Sequence, residues 1–262
     1  MKFASLGSGS EGNSLLMAAS SGTTHTHVML DCGFGMREAE RRLALLGLSP
    51  TQLNGIVVTH EHSDHIGGVF KLARRHHIPV WLTHGTFEAA AADEAAGVDI
   101  RLCRDGEAFA IGDLELRPYT VPHDAREPVQ YTATDGYYKL GVLTDVGQST
   151  SHLIAALGAC DALVLEFNHD SEMLAQSAYP AWLKGRIAGP LGHLSNAHAA
   201  QILAAIDRSR LRKLVGAHLS QKNNTRELAR DAIASALQGQ AVDVVVAEQE
   251  SGFGWISCDA QE

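Results

Sequence analysis

Long hydrophobic runs are missing from this sequence: no stretch approaches the roughly 18 apolar residues that a membrane span requires. Residues 1–10 reach glycine and serine before an apolar segment can develop, so a secretory signal is not expected. Cysteine is scarce and scattered. Cys32, Cys103, Cys160 and Cys258 form no C-x-x-C pair, which suits reduced, buried thiols better than a disulfide framework or a zinc ribbon. A soluble, cytoplasmic protein is the expectation. Positive charge is also in short supply, with 21 Lys+Arg against 30 Asp+Glu and a net charge of −9. That balance argues against a broad basic surface for nucleic acid, while leaving room for a short basic track or an acidic site neutralised by cations. There is no Pro/Ser-rich linker, charge block or internal repeat, so residues 1–262 are expected to form a single domain.

What the chain has in excess is histidine, 14 residues against 6 Lys and 15 Arg. Histidine titrates near neutrality and is the commonest metal ligand, so the surplus points to metal or acid–base chemistry. The remaining composition, 45% hydrophobic and 19% charged, is that of a globular protein with a large core.

Strands dominate the first half. Residues 3–6 and 14–18 read as strands on either side of a glycine-rich stretch, 27–31 as a third, and 37–46 as a helix stopping at Gly47. Residues 56–59 form a β-branched run of the kind buried on both faces, and it delivers His60 at its end. Helices are expected over 66–75 and 86–96, a strand over 80–82, and a hairpin over 107–121 turning at Gly112-Asp113. Segments 130–134 and 138–144 flank Asp135-Gly136, a strong hairpin signal. The second half alternates strands (162–165, 214–217, 242–246) with helices (196–206, 225–237). This pattern implies an α/β (α+β) protein with two facing mixed sheets and outer helices.

The decisive segment is Thr59-His60-Glu61-His62-Ser63-Asp64-His65, at the end of a strand and the start of a helix. Four strong ligand types within six positions converge because the chain reverses there. Imidazole plus carboxylate suits Zn²⁺, Mn²⁺ or Fe²⁺, and two ions need more ligands than this turn supplies.

The segment resembles the signature of the metallo-β-lactamase superfamily, and the rest of the chain matches that pattern in order. Asp31 ends an early strand, His123 stands in Val121-Pro122-His123-Asp124, Asp145 in Leu143-Thr144-Asp145-Val146-Gly147, and His218 in Ala217-His218-Leu219-Ser220. The resemblance implies a four-layer αββα fold. It also implies two divalent ions, one taking His60, His62 and His123, the other Asp64, His65 and His218, with Asp145 bridging. Asp31 would orient a ligand histidine through its ring N–H.

Within the superfamily the chain is most similar to the small YycJ-like (WalJ) exonuclease branch, related to ribonuclease Z-like phosphodiesterases. The match rests on the opening Gly-Ser-Gly-Ser-Glu-Gly-Asn-Ser, on Gly192-His193-Leu194-Ser195-Asn196, on Glu166 to Asp170, and on His218 to Asn224. It implies 5′–3′ exonuclease or related phosphodiesterase action on DNA. A hydroxide bridging the ions and held by Asp64 would attack phosphorus. His193 would bond the phosphate or protonate the leaving oxygen, with Glu166 as its carboxylate partner.

Ser8, Ser10 and Asn13 offer donors to phosphate, and His169 is a second candidate contact. Ser195 also reads as the N-cap of helix 196–206. Two further readings stand beside the nuclease: a hydrolase of a small metabolite, either a glyoxalase II-type thiolester or a cyclic phosphodiester, and a non-catalytic metal-binding interaction protein. Two ions would leave a net charge of roughly −5, which favours a short contact with DNA or a small phosphodiester substrate. Seven histidines (His25, His27, His76, His77, His84, His152, His198) carry no role that the sequence assigns.

Overall fold

The computed structural model describes residues 1–90 and 92–259. Strands β1 (Lys2–Gly7), β2 (Ser14–Ser21), β3 (Thr24–Leu30), β4 (Gly55–Val57), β5 (Val80–Leu82) and β6 (Ile100–Leu102) form one sheet in that order. A second follows the chain through β7 (Phe109–Ile111), β8 (Leu114–Thr120), β9 (Val129–Thr134), β10 (Lys139–Leu143), β11 (Ala162–Glu166), β12 (Lys213–Ala217) and β13 (Asp243–Val246). The last strand, β14 (Phe253–Ser257), returns to pair antiparallel with β1.

Each sheet begins as an antiparallel meander and ends as a parallel array, with the change at β3–β4 and at β10–β11. Parallel neighbours need crossovers, and helices supply them. In the first sheet these are α1 (Met36–Leu45), α2 (Ser63–Ile66), α3 (Val69–His76) and α4 (His84–Ala89); in the second they are α5 (Ser151–Leu157), α6 (Ser171–Gln176), α7 (Ala181–Ile187), α8 (Asn196–Ala205) and α9 (Arg226–Leu237).

Side-chain alternation assigns the layers. In β2, Leu15 and Met17 enter a core shared with Val129, Tyr131, Val142 and Val164 of the opposite sheet, while Leu16 turns outward to α1 and α3. In β11, Ala162 and Val164 face inward, whereas Leu163 and Leu165 pack under α5, α8 and α9. The two facing mixed sheets with outer helices are as expected, and strands with core on one face and helices on the other read as continuous apolar runs.

Two helices differ from expectation. The helix expected over 66–75 breaks at Gly67-Gly68 into α2 and α3. The Gly68 N–H donates to the Cys32 carbonyl at 2.7 Å, and a Cβ on Gly68 would collide with the Phe34 backbone. The break therefore lets the loop after β3 lie directly against the histidine-rich turn at residues 60–65. The helix expected over 86–96 stops at Ala89, and a 3₁₀ turn covers Ala92–Ala95. Its alanines offer little apolar surface, and propensity alone does not sustain so short a helix.

Leu165 is fully buried and Leu45 is 73% exposed. Leu165→Ala is expected to cost about 2–5 kcal/mol in urea unfolding, against less than about 0.5 kcal/mol for Leu45→Ala.

Candidate metal centre

Strand ends deliver the site. Asp31 follows β3, His60 and His62 follow β4, His123 follows β8, Asp145 follows β10, Glu166 ends β11 and His218 follows β12. Asp31, Asp145 and His218 have φ of 59°, 51° and 56°, a left-handed conformation that residues other than glycine seldom adopt. Such strain persists where surrounding bonds over-determine it. Here the Asp31 carboxylate accepts from Thr59 N–H (2.8 Å) and Thr59 Oγ1 (2.7 Å), and His218 N–H donates to Ser8 Oγ at 2.9 Å.

The geometry of five histidines follows one rule: one ring nitrogen meets an oxygen acceptor and the other turns into a cluster of donor atoms. His60 Nδ1 donates to Thr59 Oγ1 (2.9 Å), His62 Nε2 to the Asp124 carbonyl (3.2 Å) and His123 Nδ1 to the Gly192 carbonyl (3.2 Å). The other three nitrogens converge. His62 Nδ1 lies 3.0 Å from His60 Nε2 and 3.3 Å from His123 Nε2. Two nitrogens on one tetrahedral zinc stand about 3.3 Å apart, so the spacing fits a shared ion. Burial, with the neighbouring His65, pushes His60 well below the usual imidazole range, and burial lowers His123, so both favour the neutral, ligating form.

A second cluster adjoins the first. His65 Nδ1 donates to Asp31 Oδ2 at 2.8 Å, and His218 Nδ1 to Glu166 Oε1 at 3.0 Å. Their Nε2 atoms gather with an oxygen of Asp64, all within 4.8 Å of one another. Asp145 Oδ2, 3.1 Å from His65 Nε2, is buried without a hydrogen-bond donor. At that distance the two atoms share a cation, which is a proton on His65 or a metal ion in its place. Burial opposes charge on His65, but Asp145 and Asp31 outweigh it and hold the imidazole well above its usual range. Burial acts to raise Asp145, yet His218 and His65 keep it well below the usual carboxylate range. The position is thus built for positive charge, and the donor set fits divalent ions.

Glu166 is fully buried and anchors the far side. Its Oε1 accepts from His193 Nδ1 (2.8 Å) as well as His218, and its Oε2 accepts from Val146 N–H (3.2 Å) and Leu194 N–H (3.1 Å). Against the effect of burial, His193 and His218 hold Glu166 down at about 2. Burial likewise opposes charge on His193, but Glu166 and Asp145 raise it to about 9.

Residues 26–219 match the family model described as "Beta-lactamase superfamily domain". The chain belongs to the beta-lactamase superfamily. Among curated members it is 33% identical, over 97% of this chain and 91% of the relative, to exodeoxyribonuclease YycJ of Bacillus anthracis. It is 32% identical, over 94% and 93%, to exodeoxyribonuclease WalJ of Streptococcus pneumoniae. Its fold is shared with the metallo-β-lactamase fold protein YhfI of Bacillus subtilis, at a TM-score of 0.72, 16% identity and coverage of 97% and 98%. Superfamily fold and donor set together mark a divalent-metal site. Among the described residues no helix is long and apolar enough to cross a membrane.

In this superfamily member the ligand clusters open into a cleft of about 380 Å³ lined by His62, Asp64, Asp145, His193 and His218 together with Ser10. Two sequence expectations lie elsewhere. Ser8 is buried and does not line the cleft, and its hydroxyl accepts the His218 N–H and so supports that residue's backbone. His169 is buried away from the cleft walls, and burial lowers it to about 4. Asn13 turns its amide to the second cluster, with Nδ2 3.2 Å from Asp64 Oδ2 and 3.1 Å from His65 Nε2.

The sequence reading missed Thr59 and Asp124, although each adjoins a ligand motif. It also missed the wall of Tyr179, Leu183, Arg186 and Ile187 from α7 and the turn before it. Several unassigned histidines serve the surface: His76 meets Glu40 at 2.8 Å, His152 meets Asp105 at 2.9 Å, and His25 meets Ser20 at 2.8 Å.

Because Asp31 fixes the His65 tautomer directly and that of His60 through Thr59, Asp31→Asn is expected to weaken Zn²⁺ affinity by about 10–100-fold. Competition with a chromophoric chelator reads this without reference to activity.

Proposed function

We propose that residues 1–262 form one metal-dependent phosphodiesterase that acts as a 5′–3′ exonuclease on DNA in the cytoplasm. The observation that carries the reading is the pair of donor clusters meeting at Asp145 on the floor of an open cleft. The DNA substrate is supported by likeness along nearly the whole chain to YycJ and WalJ, both named exodeoxyribonucleases. Four free, buried thiols accord with a reducing compartment.

In this reading His60, His62 and His123 hold one divalent ion, Zn²⁺, Mn²⁺ or Fe²⁺, and Asp64, His65 and His218 hold a second, with Asp145 between them. Two such ions supply an activated water and neutralise charge on the phosphoryl oxygens. Asp64 accepts a proton from the attacking water and aligns it. His193, kept protonated by Glu166, donates a hydrogen bond to the phosphate and a proton to the departing oxygen. Because Glu166 orients both His193 and His218, it is a positioning residue that ties the proton donor to a metal ligand. Ser10, which lines the cleft, bonds a phosphate oxygen in this reading.

The test is turnover of a 5′-phosphorylated oligodeoxynucleotide, bis-p-nitrophenyl phosphate and a glutathione thiolester, with Mn²⁺ or Zn²⁺ and after chelation. Metal-dependent cleavage of both phosphodiesters is expected, with loss of at least about 100-fold in His60→Ala and Asp145→Ala. Thiolester turnover without any phosphodiester cleavage would contradict the reading.

A further inference from the structure

Helix α7 buries none of its residues. Hydrophobic burial therefore does not explain why it stands where it does, yet it is tightly tied to the site. The Arg186 Nε donates to Asp124 Oδ2 at 2.6 Å, and the His193 N–H donates to the Ile187 carbonyl at 2.8 Å. Gly192 has no room for a Cβ against the Arg186 and Ile187 carbonyls, and Gly147 has none against Pro190. The helix is thus fixed through the same loop that carries His193, and through the Asp124 whose carbonyl orients His62.

The face it turns to the cleft, Leu183, Arg186 and Ile187, has the i, i+3, i+4 spacing of one helical side, and Tyr179 joins it from the turn before the helix. Beside that stripe, one turn before Arg186, Trp182 is 69% exposed. An exposed indole on a helix that lines the cleft offers a flat face to a ligand reaching along it. Cations stand near it, together with the cleft carboxylates Asp64, Asp124 and Asp145. Arg186 uses only Nε on Asp124, leaving its two terminal nitrogens unpaired among the described residues, and Lys222, from the loop after His218, lies 5.7 Å from the Tyr179 ring centroid. In a chain of net charge −9 these two cations give a short, local attraction for the phosphates of a strand rather than a broad basic surface. Exposed aromatics interleaved with cations are the chemistry of a single nucleic-acid strand, whose bases stack while its phosphates pass the cations.

We propose that Tyr179, Trp182 and Arg186 form a platform for single-stranded DNA entering the metal cleft, with Trp182 stacking on a base and Arg186 holding a phosphate next to the one cleaved. The proposal rests on the phosphodiesterase reading and goes beyond it by naming the strand-binding surface.

Two measurements on the full-length, metal-loaded protein separate the two ideas. In steady-state kinetics on a single-stranded oligodeoxynucleotide, Trp182→Ala is expected to raise KM about 5- to 10-fold with kcat changed less than about twofold, and Arg186→Gln to raise KM by a similar factor. The ratio of oligonucleotide to bis-p-nitrophenyl phosphate turnover then falls by a similar factor. Binding is followed independently by tryptophan fluorescence and anisotropy with a phosphorothioate oligodeoxynucleotide in Ca²⁺. The oligonucleotide should quench the wild-type emission, Trp182→Phe should lose the quench while keeping most of the affinity, and Trp182→Ala should lose affinity.

Unchanged KM and affinity in both variants would overturn the platform. So would a Trp182→Ala variant that altered only the sedimentation of the protein, since that would make the helix a contact between copies of the chain. If the wild type cleaved no phosphodiester, the function reading would fall, and the quench would still decide the platform.

Discussion

A neutral imidazole has one bare nitrogen, and the group that accepts the other nitrogen's proton decides which one it is. Five histidines in this protein obey that constraint through different oxygens: the Asp31 carboxylate for His65, the Thr59 hydroxyl for His60, the Asp124 and Gly192 carbonyls for His62 and His123, and Glu166 for His218. These acceptors come from the ends of both sheets and from the loops between them. The fold can be understood as the device that brings the acceptors to the right places, with the ligands following from them.

Asp31 and Glu166 are the two most heavily used of these oxygen groups, and both are completely buried. A buried carboxylate is tolerated only when its lone pairs are met. Asp31 takes donors from Thr59 and His65, while Glu166 takes two imidazoles and two backbone N–H groups. Around them the backbone interlocks: Cys32 N–H donates to the His65 carbonyl at 2.7 Å, Asn13 N–H to the Asp64 carbonyl at 2.8 Å and Gly33 N–H to the Asn13 carbonyl at 3.0 Å. Gly33 is tolerated there because a Cβ would strike the Asp64 backbone. The glycine-rich loop, the turn after β3 and the histidine turn therefore form one unit, and its left-handed Asp31 is held by neighbours on every side.

Much of this was legible in the chain. The segment from His60 to His65 reveals itself because its donors are adjacent, and the central strands because they are short continuous apolar runs buried on both faces. His123, Asp145 and His218 are readable only jointly, since each alone is an ordinary loop residue. Other features leave no local trace. Helix α7 has no buried side and hence no apolar period, while β6 and β14 are short edge strands defined by partners distant in sequence. The break at Gly67-Gly68 is set by the close approach of residues 32–34. Ser8 and His169 have the right chemistry for phosphate, but their orientation depends on contacts with the His218 backbone and the 194–196 segment. Residue type was informative here, and direction was not.

The most direct test of the convergence of bare nitrogens on shared cations is anomalous diffraction from crystals equilibrated with Zn²⁺ or Mn²⁺, paired with metal content in solution. Two ions per chain are expected, one within ligand distance of His60 Nε2, His62 Nδ1 and His123 Nε2, the other of Asp64, His65 Nε2 and His218 Nε2, with Asp145 reaching both. A single ion, or ions bound through the nitrogens that now donate to Asp31, Thr59 and Glu166, would contradict it.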